Sequence, residues 1–321
     1  MRFGSMLGTF IGFTVILLSG ELWLIEGIAA QKSRIVFSHL GFDNFEIYVM
    51  DADGGNRENL SNHPVHDVDP DWSPDGTKIA FVSNRNDAKY QIYVMDADGT
   101  NQIRLTDGPR DKWQPDWSPD GGKIAFSVDD GVYRIDVMDV NGDNRVVLEH
   151  EASAPSWSPD GGKIAFISRR DKGREIYVIG TNGQGLERLT RNFLGGHSLS
   201  FSPDGRRIAS DPWHGEFNHI YVMGADGKNP MRLSHNQEHH TAPTWSPDGQ
   251  MIAYVVSDDG NPFDRRIHLM TANGKYIKQL SKVREGIDDQ PDFSPVGLAV
   301  SPVSKTSTTW GTLKKMSSSF R

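Results

Sequence analysis

Short apolar runs alternate with polar, glycine-rich turns along most of the chain. The runs are three or four residues long and rich in β-branched and aromatic side chains, as at residues 79–81 and 92–95. Runs of this kind are typical of strands and are too short for helices. The turns contain Asp-Gly or Asn-Gly, which favour tight hairpins, as at Asp98 and Gly99. The pattern therefore predicts an all-β protein built from antiparallel hairpins.

The hairpins recur as a repeat that is marked by a Ser-Pro dipeptide. Six copies follow one another at intervals of 40 to 48 residues, and five of them continue to Asp-Gly. Ser-Pro-Asp-Gly suits a type I turn, because Pro fixes φ and Gly accepts the left-handed conformation. An aromatic residue precedes every copy, at Trp72, Trp117, Trp157, Phe201, Trp245 and Phe293. Each repeat predicts one four-stranded antiparallel sheet.

The two ends of the repeat region complement each other. Residues 35–60 contain a repeat without its first strand, and residues 291–294 contain a first strand without the rest. One such sheet cannot bury both faces, whereas a closed ring of sheets can. The sequence therefore predicts a six-bladed β-propeller over residues 32–300, with the repeated aromatic side chains packed between the blades.

The segments outside the repeats predict appendages. Arg2 precedes an apolar run over residues 6–18, which is shorter than the roughly 20 residues of a membrane span. Ala29 and Ala30 offer a cleavage point, so residues 1–30 are expected to be a signal peptide, with an uncleaved anchor as the alternative. The folded part is expected outside the cytoplasm, without stable membrane insertion after signal cleavage. Residues 301–321 are expected to form a polar C-terminal tail.

Composition and motifs narrow the chemistry. The net charge of −8 argues against nucleic acid as a partner, because phosphate binding needs a basic surface. The absence of cysteine excludes disulfides, cysteine-bound metals and thiol nucleophiles. The sequence has neither a Gly-x-Ser-x-Gly nucleophile elbow nor a phosphate loop. Residues 51–54 and 96–99 read Asp-x-Asp-Gly, but they lack the downstream Glu of a calcium loop and predict turns. No cofactor is expected.

The repeat resembles that of a known family. Residues 70–81 read Pro-Asp-Trp-Ser-Pro-Asp-Gly-Thr-Lys-Ile-Ala-Phe, and residues 92–99 read Ile-Tyr-Val-Met-Asp-Ala-Asp-Gly. This pattern resembles the propeller of the TolB family over roughly residues 32–300. The resemblance implies a periplasmic propeller of the binding type, related to the Tol–Pal cell-envelope system. Family members carry an α/β domain before the propeller, and the segment before Ile35 offers no counterpart to it. Similar repeats occur in gating propellers of peptidases and in sugar-lyase propellers.

The candidate site lies just before the first strand of each repeat, where the loops of a propeller approach one mouth of the central channel. Every repeat contributes a polar or ionisable group there. These residues are His66, Asp67, Asp111, Lys112, Glu151, His197, His239, His240, Asp288 and Asp289. Such a mouth could bind a basic peptide segment by charge, or a divalent metal through imidazole and carboxylate groups. Polar loop tips without a specific ligand are the third interpretation.

The sequence favours a non-enzymatic periplasmic binding or scaffold protein with a protein or peptide partner in the cell envelope. A propeller suits recognition, because its loops stand on a rigid ring and lose little conformational entropy on binding. One alternative is a metal-dependent enzyme such as a polysaccharide lyase, with its site at the same mouth. The other is a gating propeller that acts within a peptidase complex.

Overall fold

A computed structural model describes residues 13–18, 21–26, 33–41, 43–86, 89–171, 173–192, 194–258, 261–281 and 286–295. Residues 34–293 form six four-stranded antiparallel sheets, which are numbered here as blades 1 to 6 around the ring. The predicted all-β, six-bladed propeller is therefore confirmed. The described residues include no helix with the length and apolar character that a membrane span requires.

The strands of each blade run from the channel outward. Blade 1 consists of Ile287–Phe293, Arg34–Leu40, Phe45–Asp51 and Glu58–Asn59, and blade 2 of Asp67–Trp72, Lys78–Ser83, Gln91–Asp96 and Ile103–Arg104. Blade 3 consists of Asp111–Trp117, Lys123–Asp129, Tyr133–Asp139 and Val146–His150, and blade 4 of Ala152–Trp157, Lys163–Ser168, Glu175–Gly180 and Glu187–Arg188. Blade 5 consists of Leu199–Phe201, Arg207–Ser210, Tyr221–Gly224 and Met231–Arg232, and blade 6 of His239–Trp245, Met251–Asp258, Asn261–Thr271 and Tyr276–Gln279.

The innermost strands line the channel and close the ring. Each of these strands contacts the innermost strands of the two neighbouring blades, all the way round the propeller. Closure depends on Ile287–Phe293, which pairs antiparallel with Arg34–Leu40 although the two strands come from opposite ends of the described propeller. The pairing extends past the strand, because the Ser294 amide donates to the Arg34 carbonyl at 2.8 Å. The composite blade expected from the sequence is found.

The repeated aromatic side chains pack between the blades. Trp117 of blade 3 lies against Val82 and Ile92 of blade 2 on one side and Phe126 of blade 3 on the other. Trp72, Trp157, Trp245 and Phe293 occupy equivalent inter-blade cores, and Phe201 is partly buried. The core of the molecule is therefore six apolar layers rather than one centre, as expected for a ring of twisted sheets.

In blades 2 to 6 a Ser-Pro-Asp-Gly turn follows the innermost strand, at the end of the strand away from the candidate site. In blade 3 the Ser118 hydroxyl donates to Asp120 at 2.6 Å, and the Lys123 amide donates back to Ser118 at 2.8 Å. Gly121 donates to the Ser118 carbonyl at 2.8 Å with φ of +71°, a conformation that glycine adopts without strain. The turns therefore lie at the end of the channel away from the candidate site.

The terminal appendages remain predictions. Phe13–Leu18 and Glu21–Glu26 pair as a separate two-stranded sheet. The other positions of the predicted signal peptide, and the predicted polar tail at residues 301–321, lie outside the described residues.

Candidate functional site

A β-bulge in the innermost strand shapes the channel in five of the six blades. In blade 2 the register shifts between Val68 and Asp71, and Asp69 adopts a positive φ of 51°. Gln114, Ala154, Ala242 and Gln290 repeat this conformation in blades 3, 4, 6 and 1. A proline follows each of these positions, and proline fits here because a bulge interrupts the hydrogen-bonded ladder. The bulge residues all face the channel cavity.

The channel holds a cavity of about 580 Å³ that receives side chains from all six blades. Its lining is rich in carboxylates and poor in cations. The acidic residues that line it are Asp69, Asp71, Asp116, Asp211, Asp258, Asp289 and Asp292. Among the described residues, Arg265 is the one lysine or arginine in this lining, and it pairs with Asp289. The cavity therefore carries an excess of negative charge when its carboxylates are ionised.

Three of these carboxylates also join the blades to one another. Asp71, Asp116 and Asp292 stand directly before the aromatic residue of their own blade. Each accepts a hydrogen bond from the backbone of the next blade: the Trp72 amide donates to Asp292 at 3.0 Å, and the Trp117 and Trp157 amides donate to Asp71 and Asp116 at 2.7 Å. Asp71, Asp116 and Asp292 are named here the channel aspartates.

Burial raises the pKa of every channel aspartate. It raises the pKa of Asp116 to about 8, with the charge of Asp292 acting in the same direction. The pKa of Asp292 rises to about 6 by burial, and that of Asp71 rises well above its usual value by burial and by repulsion from its two neighbours. Close to them, burial and then Asp289 raise the pKa of Asp69 to about 6. At pH 7 the Asp116 carboxyl therefore still holds a proton, which a bound cation would displace, whereas Asp69 and Asp292 are mostly ionised.

Four of the ten residues that the sequence places at the mouth lie along the two cavities there. His197, His239 and Asp289 line the channel cavity, and Glu151 and His197 line a second cavity beside it. Burial, followed by repulsion from Arg174 and Arg169, lowers the pKa of His197 to about 4, so its imidazole is neutral at pH 7. His239 packs edge-on against Phe217, with ring centroids 5.3 Å apart.

Four others are buried inside the blades and do not line the channel cavity. Asp67 pairs with Arg85 at 2.8 Å. Asp288 pairs with Arg57 at 2.9 Å and with His39 at 2.7 Å. The other two side chains are those of Lys112, which donates to backbone carbonyls, and His240, which is buried against the rings of His219 and Tyr254. The expectation that all ten side chains face the mouth is therefore corrected, because successive residues of a strand point to opposite sides.

Asp111 and His66 hold neighbouring blades together near the mouth. Asp111 accepts the Tyr90 amide at 2.9 Å and pairs with Lys89 at 3.0 Å. The His66 ring lies 3.1 Å from the Phe45 amide, which donates to it. Both side chains are half-buried, and their hydrogen bonds join the loops of adjacent blades.

Blade 5 contributes features that the repeat pattern did not reveal. Its second and third strands are joined by an extra hairpin, in which Trp213–His214 pairs with Phe217–Asn218. Trp213 lines the channel cavity and is 56% exposed. Asp211, at the base of the hairpin, is fully buried and accepts the backbone amides of His197 and Ser198 at 2.6 and 2.9 Å. The buried carboxylate thereby fixes the loop that carries His197.

The channel aspartates are the main functional residues that sequence reasoning missed. Their signal was present, because Pro-Asp stands before Trp or Phe in three of the six repeats. As for metals, the described part of the chain contains no group of three or more His, Asp or Glu side chains placed to hold an ion.

Together the ring of blades, the composite first blade and the acidic cavity define a six-bladed β-propeller with an acidic central channel. The family profile of the TolB beta propeller domain matches residues 29–150 and 77–320. The chain therefore belongs to the TolB beta-propeller family.

Solved structures give the same fold at low sequence identity. TolB from Acinetobacter baumannii is 23% identical, with a TM-score of 0.72, over 82% of this chain and 67% of that chain. A TolB-type structure from Agrobacterium tumefaciens is 20% identical, with a TM-score of 0.63, over 83% of this chain and 100% of that chain. A chain of a nidogen/laminin complex is 12% identical, with a TM-score of 0.67, over 82% of this chain and 98% of that chain. No curated protein matches the sequence significantly.

Proposed function

We propose that this chain is a non-enzymatic, exported propeller that binds a basic peptide segment of a protein partner in the cell envelope. The proposal rests on the lining of the channel cavity. Seven aspartates line it, whereas the one arginine in the described lining, Arg265, already pairs with Asp289. A lysine or arginine side chain entering this cavity would ionise the buried carboxylates and form charge-assisted hydrogen bonds with them.

Family membership supports the location and the class of this function. A TolB-type propeller with the predicted signal peptide fits a periplasmic protein that takes part in an envelope complex of the Tol–Pal kind. The alternative of a metal-dependent enzyme has less support, because the described residues offer no cluster of three or more candidate metal ligands. Nothing in the geometry of the channel favours the peptidase-gating alternative over peptide binding.

End-blocked tetralysine, labelled with a fluorophore, tests the proposal by fluorescence anisotropy at pH 8. The wild-type protein should bind it, and added salt should weaken the binding because the attraction is electrostatic. The double variant Asp69→Asn, Asp292→Asn should bind about ten-fold more weakly, that is, by about 1.4 kcal/mol. Asparagine keeps one acceptor oxygen at each position, for the Gln114 amide and for the Trp72 amide, so the variant removes charge and retains these two backbone contacts.

The matched control is Glu187→Gln, which removes one exposed negative charge from the outermost strand of blade 4. This control should bind tetralysine as the wild type does. End-blocked tetraglutamate should not bind at all. Equal binding of both peptides, or unchanged tetralysine affinity in the double variant, would show that the channel is not a cation-binding site.

A further inference from the structure

A second cavity of about 570 Å³ opens beside the channel, above blades 3 and 4 and the start of blade 5. It shares four lining residues with the channel cavity: Asp69, Gln114, His197 and Gln290. The two cavities are therefore contiguous, and one extended ligand can occupy both.

Part of the lining of this second cavity is apolar and open to solvent. This part consists of Trp113, Val132, Tyr133 and Ile167. The Val132 side chain is 56% exposed and that of Tyr133 is 43% exposed. Large apolar side chains that stay exposed inside a concave site are typical of surfaces that a ligand covers.

The lining of the second cavity also includes Arg169 and Arg174. Neither forms an ion pair with any carboxylate of the described residues, in contrast to the adjacent Arg170, which pairs with Glu149 at 3.2 Å. Arg174 is held in place by the Gly196 carbonyl at 3.0 Å and by the His197 ring.

The charge of Asp211 attracts Arg174, but no carboxylate of the described residues forms an ion pair with either arginine. Burial, and then repulsion from Arg169, lowers the pKa of Arg174 below its usual value. Asp69 and Glu151 also line this cavity, but neither pairs with these guanidinium groups. Two guanidinium groups on one wall form a site for a planar anion, because each presents several donors in a fixed geometry.

We propose that this second cavity binds the C-terminal residue of the partner peptide, with Arg169 and Arg174 holding its terminal carboxylate. The apolar side chain of that residue packs over Trp113 and Tyr133, and the basic residues before it extend into the acidic channel. This inference rests on the proposed function, which it deepens by setting the direction and the end of the bound segment.

The chemistry of the neighbouring channel favours a chain terminus as the anion. An acidic side chain would occupy a position of the peptide that a lysine or arginine could fill, whereas the terminal carboxylate supplies an anion without replacing any basic residue. A carboxylate on an apolar residue suits this lining, since the two arginines and the exposed aromatic side chain of Tyr133 line the same cavity.

Two fluorescein-labelled peptides test the proposal by anisotropy: Lys-Lys-Gly-Phe with a free C-terminal carboxylate, and the same peptide with a C-terminal amide. The wild-type protein should bind the free acid about ten-fold more tightly, the size expected for one charge-assisted contact in a half-exposed site. Arg169→Gln should lower the affinity for the free acid to that for the amide. Arg206→Gln, an exposed arginine beside the turn at the far end of the blade 5 innermost strand, is the control and should keep the ten-fold gap.

The outcomes separate the two proposals. If both peptides bind the wild type equally well, the carboxylate subsite is wrong and the acidic channel still binds basic peptides. If tetralysine and both tetrapeptides fail to bind, the proposed function itself is wrong, and the subsite falls with it. Displacement of the free-acid peptide by glucuronate, without displacement by N-acetylphenylalanine, would assign the arginines to an acidic sugar and overturn the peptide terminus.

Discussion

A chain that ends at residue 285 should lose cooperative unfolding. It lacks Ile287–Phe293, the strand that closes the ring against Arg34–Leu40. The truncation also removes the buried Asp288 carboxylate, which pairs with Arg57, and the Phe293 side chain, which packs in an inter-blade core. The loss should be on the order of the whole stability of a domain, about 5–15 kcal/mol, and the edge strand left open should promote aggregation. Urea unfolding followed by tryptophan fluorescence measures this effect.

The control for this truncation is a chain that ends at residue 300. It keeps the closing strand and loses only the predicted polar tail, so its urea midpoint and slope should match those of the full chain. A shorter chain that also unfolds with the full-length midpoint would show that closure contributes nothing to stability.

Trp117→Ala should destabilise the protein by about 3–5 kcal/mol, the range for a buried aromatic side chain truncated to alanine. Trp117 is 7% exposed and fills the core between blades 2 and 3. Its indole N–H has no hydrogen-bond partner among the described residues. The hydrogen bond from its backbone amide to the Asp71 carboxylate does not involve the side chain and remains in the variant. The loss in unfolding free energy therefore reports packing alone.

Trp213→Ala provides the comparison for the buried tryptophan. Trp213 is 56% exposed on the extra hairpin of blade 5, so its removal should cost less than about 1 kcal/mol. Similar losses in the two variants, measured by chemical unfolding, would contradict the assignment of Trp117 to an inter-blade core.

The fold could be predicted because the same sequence motif, an aromatic residue followed by Ser-Pro, recurs six times along the chain. The aromatic residue, the Ser-Pro-Asp-Gly turn and the Asp-Gly hairpin each specify a local geometry, and their spacing sets the size of a blade. The incomplete repeats at the two ends then leave closure of the ring as the arrangement that pairs both edges.

The site could be predicted only in part, because position along a strand does not fix side-chain direction. Asp67 and Asp69 are two residues apart and would point to the same side of a regular strand. Asp67 is nevertheless enclosed with Arg85 whereas Asp69 faces the channel, because the β-bulge begins after Val68 and Asp69 itself has a positive φ. A left-handed aspartate or glutamine is uncommon, and sequence alone gave no reason to expect one here. The extra hairpin of blade 5 was missed because it departs from the repeat.

This geometry also decides which substitutions test function. Charge reversal at Asp67 or Asp288 would leave a buried arginine without its carboxylate and would perturb folding. Substitutions at Asp69 and at the channel aspartates change the cavity itself, and asparagine at these positions retains an acceptor for the neighbouring backbone amides.

The channel should bind a cation through its aspartates, of which Asp116 still holds a proton at pH 7 when the channel is empty. Because the pKa of Asp116 is about 8 and that of Asp292 about 6, Asp116 is largely protonated at pH 7, and a bound lysine should lower both values. Binding should therefore release protons and should tighten as the pH rises from 6 to 8. Asp116→Asn should reduce the release.

Isothermal titration calorimetry of end-blocked tetralysine at pH 7, in phosphate and in Tris, measures this release directly. Tris takes up a proton with a larger heat change than phosphate, so the two buffers should give different binding enthalpies for the wild type. The difference should shrink in Asp116→Asn. Equal enthalpies in both buffers, or an affinity that falls as the pH rises from 6 to 8, would contradict the account of the channel as a cation-binding site.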